Sequence, residues 1–560
     1  MGAAYLILPI AGRFGSVLLG TSIFPYDSFL NAGILEWVRH ALFTTHSSIF
    51  DWTAGFPLTN SLAVTENLLG WQVFYVPLRL LGVGIPAAYN ILVLISLVIS
   101  GVGAAILARR FGASRAGGAI AGLVFAYGPF HLSHILHIQT QAVCWIPFAI
   151  LFLDRYLESR SPREAIGLAA SIVISVLCSI YLAVFLAIVL PLYAILCWIF
   201  GRYRFNTRAL GGLLATGIFA AALLTPILSH YLRFSSDFGY AHDARTLANF
   251  SMELAAPLRM PDWMAVWSWT PLVRRTTWTT ALSYTPAFPG LVAITLAVYA
   301  IITLRRNKEN RATMWILVSL AVICFVLALG PILRPVNLNP LGHAEWLPMP
   351  GKIWLVIPGI RWPMRVFFFA WLAGAILCGL GLTALERRVG TRRSRIIATV
   401  VIALVVIEYW PAPWFAGRSV VAPGPMSLSD AYPYLASEAD RGGVVELPTA
   451  DRSGWRTPFS TRYIYASAGH LRRVVALHGS VTPPVTDSLL RAANALPDSS
   501  SMRILSDHGV SRVVIHKDLM PRDSSRNLVS ELKHAGYPIV FAGSNGVIFG
   551  TARVPGTGYR

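Results

Sequence analysis

Ala165–Phe200 reads AIGLAASIVISVLCSIYLAVFLAIVLPLYAILCWIF, an apolar run without a single charge. A membrane span needs about 20 such residues, so this run is long enough for two short crossings. Its flanks decide between one crossing and two. Arg155, Arg160 and Arg163 precede it, and Arg202, Arg204 and Arg208 follow it. Short basic loops stay in the cytosol. With both ends on that side the run must cross twice, turning near Ser179–Ile180–Tyr181.

Outward from this hairpin the pattern repeats. Further basic clusters are Arg109, Arg110 and Arg115, then Arg305, Arg306, Lys308 and Arg311, then Arg387, Arg388, Arg392, Arg393 and Arg395. Between them, apolar windows predict spans at about 3–20, 89–108, 117–130, 141–157, 165–179, 181–200, 209–228, 287–304, 313–330, 364–385 and 396–410. The expected fold is a polytopic all-α membrane protein of about eleven transmembrane helices over 1–410. Its N-terminus is cytosolic, and the loops 21–88, 229–286 and 331–362 are external. Residues 3–20 carry Arg13 and no convincing small-residue cleavage site, so they read as a short first helix rather than a cleaved signal.

Composition agrees. Of 560 residues 55% are hydrophobic and 13% charged, where soluble domains carry roughly 25% charged residues. Mean hydropathy is +0.59. The net charge of +20 sits largely in the basic loops and does not signal nucleic acid. Lysine occurs only at 308, 352, 517 and 533, a bias suggesting a GC-rich bacterial genome and hence a bacterial inner (plasma) membrane. Cys144, Cys178, Cys197, Cys324 and Cys378 lie in or beside apolar segments and fit no metal or disulfide spacing.

Residues 411–560 change character. Pro411, Pro413, Pro423 and Pro425 open the segment. Strand-like runs follow at Val444–Leu447, Val474–Leu477, Val513–His516 and Val547–Gly550, with helical stretches Thr486–Ala495 and Asn527–Ala535 and a hairpin turn at Gly543–Gly546. They predict a C-terminal soluble α/β domain outside the cytosol.

The cytosolic loops are too short to build a site, so the chemistry is expected outside. Asp27 follows the first predicted span. It reads either as a general base, with its pKa raised by an apolar wall, or as the cap of an amphipathic helix lying on the membrane. Asp51 is a second base or a solvated acid. Glu66 is a third candidate, or a dipole-favouring residue behind a Thr65 cap. His131, His134 and His137, spaced by three, would form one helical ridge, with Gln139 beside it. A metal site, hydrogen bonds to sugar or phosphate, and plain capping of a turn are all open there. Arg361 and Arg365, a helical turn apart, would grip a lipid phosphate by their planar forks or merely snorkel. Glu408 ends the last predicted span. No P-loop and no dinucleotide fingerprint occurs.

These residues resemble a known group. Asp27-Ser28-Phe29-Leu30-Asn31 with Trp37, Phe56-Pro57, Glu66-Asn67-Leu68-Leu69-Gly70, His137-Ile138-Gln139 and Pro358-Gly359-Ile360-Arg361-Trp362-Pro363-Met364-Arg365 look like bacterial YfhO-like membrane proteins, within the GT-C glycosyltransferase superfamily. Val444-Val445-Glu446-Leu447-Pro448 and Gly509-Val510-Ser511-Arg512-Val513-Val514 extend the likeness over nearly the whole chain. The resemblance implies transfer of a sugar from a polyprenyl-phosphate donor to a glycan, lipid or protein acceptor of the cell envelope. It also implies that the acid after the first span, here Asp27, is the base. Paired acids are common in such loops, but Tyr26 and Ser28 flank Asp27. A divalent metal therefore finds no support in the sequence, and the cofactor is unknown. The alternatives are a transporter or flippase of lipid-linked glycans and a non-catalytic envelope scaffold.

Overall fold

In the computed structural model the run 165–200 forms two helices joined at Ser179–Ile180. The structure describes residues 8–19, 26–239, 242–269, 286–308, 310–333, 349–357, 359–412, 420–450 and 456–552. Much of the loops 229–286 and 331–362, with Pro358 and Pro413, lies outside them. The first long elements are α1 (Tyr26–His40) and α2 (Gln72–Leu80). Ten helices then coincide with ten of the eleven predicted spans. They are α3 (Ile85–Arg110), α4 (Arg115–Tyr127), α5 (Ile146–Ser159), α6 (Pro162–Cys178) and α7 (Tyr181–Ile199), followed by α8 (Thr207–Phe238), α9 (Leu291–Leu304), α10 (Arg311–Ala328), α11 (Phe367–Glu386) and α12 (Thr391–Glu408).

Among the described residues, α3, α7, α8, α10 and the segment Pro363–Glu386 are long and apolar enough to cross a membrane, and α9 is apolar but has 14 residues. The eleventh span, 3–20, needs correction. Residues 1–7 and Gly20 lie outside the described set, and 8–19 hold a 3-10 turn, Leu8–Arg13, and a short strand β1 (Val17–Leu18). Strand β1 pairs antiparallel with β2 (Val420–Val421). Asn90 of α3 holds this segment too, donating to the carbonyls of Phe14 and Val17 and accepting the Leu19 N–H at 2.8 Å. Its backbone bonds go to a strand and a side chain, as suits a segment broken by Pro9, Gly12 and Gly15.

The basic clusters meet at one end of the helices. Arg110 and Arg202 both reach Asp154 of α5. Arg110 also reaches Glu158, Arg160 donates to the Arg204 carbonyl, and Arg387 donates to the Gly112 carbonyl. At α9 the carboxylate of Glu408 accepts the first two N–H groups, from Leu291 at 2.6 Å and Val292 at 3.1 Å. It thereby caps a helix, which explains an acid at the end of an apolar segment.

Past 420 the chain forms α13 (Ala431–Ser437), β3 (Gly443–Leu447), α14 (Thr457–His470), α15 (Pro484–Asn494), α16 (Ser499–Asp507), β4 (Val510–His516), α17 (Arg522–His534), β5 (Ile539–Ala542) and β6 (Gly546–Gly550). The sheet order is β3-β4-β6-β5, with β3 and β4 parallel and the other pairs antiparallel. The expected turn joins β5 to β6, where Gly543 N–H meets Gly546 C=O. Val474–Leu477 is not a sheet strand. Val474 only bridges Ala54 and Val444, tying the loop 21–88 to the sheet. Helix α14 packs on α1. At Gly33 a Cβ would stand 3.1 Å from the Ile464 carbonyl oxygen and 3.2 Å from the Tyr465 Cα, so the glycine lets the two backbones approach closely.

That contact corrects the reading of α1. Ser28 through Val38 are all buried, so the helix lies between the bundle and α14 instead of on a membrane surface. One apolar core runs through both parts, from α3 and α11 to Ile464, Tyr465 and Val514.

Candidate active site

A cavity of about 180 Å³ opens where α1, the 61–66 loop, the α6–α7 turn, α8, the 359–365 segment and the 478–480 loop meet. Glu66 builds its floor. It accepts the Ser179 hydroxyl at 2.9 Å and the Ile180 N–H at 2.7 Å. Thr65 follows the turn Ser61–Val64, so Glu66 caps α7, far along the chain, and not a helix of its own. Burial pushes its carboxyl up, against the Ile180 N–H, the Arg365 charge and the Ser179 hydroxyl. The turn that Glu66 fixes presents Tyr181, whose ring lies 4.8 Å beneath the Arg365 guanidinium.

Arg365 is only 7% exposed. Among the described residues it has no ion-pair partner, and its Nε is buried without a hydrogen bond. Trp362 flanks it at 5.2 Å. Arg361 packs on Phe250 and reaches the Gly479 carbonyl at 3.5 Å, and its Nε is also unpartnered. A buried charge without a counter-ion is costly, and both guanidinium groups line the cavity. The arrangement suits an anion with several acceptor oxygens.

Asp27 stands in the first turn of α1. His137 Nε2 meets its Oδ2 at 2.7 Å and His478 Nε2 faces its Oδ1 at 3.6 Å. The side chain is 27% exposed and lines the cavity. Burial pushes its carboxyl up, but the two imidazoles outweigh that and hold it well below the usual carboxylate range. The raised pKa expected from an apolar wall is therefore wrong, because that wall carries two histidines.

The remaining candidates separate. Gln139 lines the cavity with its Oε1 buried and unpartnered. The histidine ridge does not form. Helix ends at Leu132 and resumes at Ile138, leaving His131 and His134 buried away from the cavity. His131 meets the Phe125 carbonyl and Gln141 Oε1, both at 2.9 Å, and His134 meets the Phe130 carbonyl at 2.8 Å. Asp51 is exposed and, among the described residues, receives only the Asn60 N–H at 3.4 Å, because the 51–60 loop turns it outward. Among the described residues no three His, Cys, Asp or Glu side chains converge as metal ligands. His137 is spent on the carboxylate itself. Sequence reasoning missed His478. Its one local signal was a polar His-Gly-Ser triplet directly after the apolar run 474–477.

The fold resembles that of a mycobacterial glycosyltransferase. Arabinofuranosyltransferase AftD from Mycobacteria matches with a TM-score of 0.60 at 17% identity, over 99% of this chain and 39% of that one. A mutant form of AftD matches with a TM-score of 0.60 at 18% identity, over 100% and 41%. This chain thus spans about two fifths of the length of AftD. No family model and no curated protein matches the sequence. At such identity the likeness concerns the fold alone.

Proposed function

We propose that the chain is a membrane glycosyltransferase that moves a sugar from a polyprenyl-phosphate-linked donor to a cell-envelope acceptor on the outer face of the membrane. One observation carries this reading. The buried guanidinium of Arg365, which has no ion-pair partner among the described residues, shares a cavity with the carboxylate of Asp27, in a chain folded like AftD. An anionic lipid phosphate would complete the first, and an acceptor hydroxyl needs the second. Arg361 and Arg365 hold the donor phosphate and stabilise the charge that grows on it as the glycosidic bond breaks. Asp27 supplies the negative charge that draws the proton from the acceptor. Gln139 has a free acceptor for a sugar hydroxyl, and Glu66 positions Tyr181 under Arg365. The likeness of the motifs to YfhO-like proteins belongs to the same reading.

In the proposed topology α3 to α12 make ten crossings, with the basic ends cytosolic. The cavity and residues 411–560 are then external. Reporter fusions check this: one after Arg311 should read cytosolic and one after Pro425 external. A cytosolic reading after Pro425 would break the α6–α7 hairpin assignment and put the cavity on the wrong side.

The activity test supplies radiolabelled polyprenyl-phosphate sugars to the purified protein in lipid nanodiscs. An arabinofuranosyl donor comes first, since AftD is named for that sugar. Arg365→Ala should weaken donor saturation by about 10–100-fold, the worth of a charged hydrogen-bonded contact of roughly 1.5–3 kcal/mol. Arg365→Lys should recover only part, because ammonium lacks the planar fork. Equal donor KM in all three proteins would leave the arginines as interface anchors.

A further inference from the structure

Resting on that transferase reading, we propose that His478 is the catalytic residue that receives the acceptor's proton, with Asp27 holding its ring. Asp27 lies between two imidazoles, and only one of them is on the cavity wall. His137 is 13% exposed and does not line the cavity, and its Nδ1 is buried without a partner. His478 is 22% exposed and does line it. With its proton on Nε2, toward Asp27, His478 keeps the Nδ1 lone pair for an incoming hydroxyl. A carboxylate that orients an imidazole and steadies the imidazolium is a recurrent solution for deprotonating a hydroxyl. The 3.6 Å separation is long for a hydrogen bond, as unliganded sites often are before substrate draws the groups together.

The loop that carries His478 is fixed for this task. Ser480 N–H bonds the Val64 carbonyl at 3.2 Å, and Arg361 reaches Gly479 C=O. At Gly479 a Cβ would stand 2.5 Å from that Val64 oxygen, so a glycine is required at the crossing. The charged and titratable groups that line the cavity with His478 are Asp27, Glu66, Tyr181, Tyr231, Arg361 and Arg365, with His137 behind Asp27. Because His137 and His478 hold Asp27 so firmly ionised, its carboxylate is a weak base and a good anchor.

In the step, the acceptor O–H proton passes to His478 Nδ1 and the acceptor oxygen bonds the sugar's anomeric carbon. The bond from that carbon to the phosphate oxygen breaks, and its electron pair leaves on the polyprenyl phosphate. The imidazolium later returns its proton to water.

Wild type and His478→Ala are compared in nanodiscs with the radiolabelled donor, and unfolding midpoints are measured to confirm that both are folded. His478→Ala should lose at least about 10²-fold in rate with donor KM little changed, and regain part of its rate when imidazole is added. A variant that keeps the wild-type rate, or whose lost rate imidazole does not restore, overturns the assignment. No transfer by the wild type with any donor overturns the transferase reading, and this assignment with it.

Discussion

Asp27→Asn should cut sugar transfer by about 10²–10⁴-fold, the range for losing a positioned acid–base group, while the unfolding midpoint stays within a few degrees of wild type. The charge is what matters. An amide fills the same space between His137 and His478, but it offers one acceptor where the carboxylate offers two, and it cannot steady an imidazolium. The loss should appear in kcat more than in donor KM, because the donor phosphate lies with Arg361 and Arg365. Transfer by Asp27→Asn within about threefold of wild type would remove Asp27 from the chemistry. It would not move the role to Asp51, which is exposed outside the cavity.

The second large effect is expected at the opposite end of the helices. Asp154 has no exposed surface. It accepts Arg110 Nε and Tyr193 OH at 2.7 Å and Arg202 Nε and Tyr203 OH at 3.1 Å. These bonds tie α3, α5, α7 and the loop after α7 together, and Arg202 extends the tie to Thr313 of α10 at 2.6 Å. Asp154→Ala would leave two guanidinium groups facing each other without their counter-ion. Breaking such a buried pair costs about 3–5 kcal/mol, and the value should lie toward the lower end because both arginines are about one-fifth exposed. A fall in the thermal midpoint with unchanged donor KM for the surviving protein is the expected pattern. An unchanged midpoint would mean that the cluster is solvated and contributes nothing.

The helix array was legible because membrane crossings leave a local record. The 165–200 run and its basic flanks contain everything needed to place the turn at Ser179–Ile180, and the structure turns there. Residues 8–19 misled because an apolar window says nothing of where the backbone hydrogen bonds go, and here Asn90 and β2 take them. The His131–His137 spacing misled for a related reason. A polar side chain reads alike whether it opens to a site or returns to its own carbonyls, as His131 and His134 do. Asp27, Glu66, Arg361 and Arg365 do share one cavity, although Glu66 serves a helix cap that no local pattern announces. His478 was beyond reach because its meeting with Asp27 depends on α14 docking on α1 through Gly33.

The most direct test of the central claim follows the label on a polyprenyl-phosphate sugar given to the protein in sealed proteoliposomes. A transferase of the kind proposed moves the sugar off the lipid phosphate and onto the acceptor, with the lipid left behind as polyprenyl phosphate, and Asp27→Asn stops this. The contrary result is a label that stays on its lipid and changes leaflet with wild-type protein, at a rate that Asp27→Asn leaves unaltered.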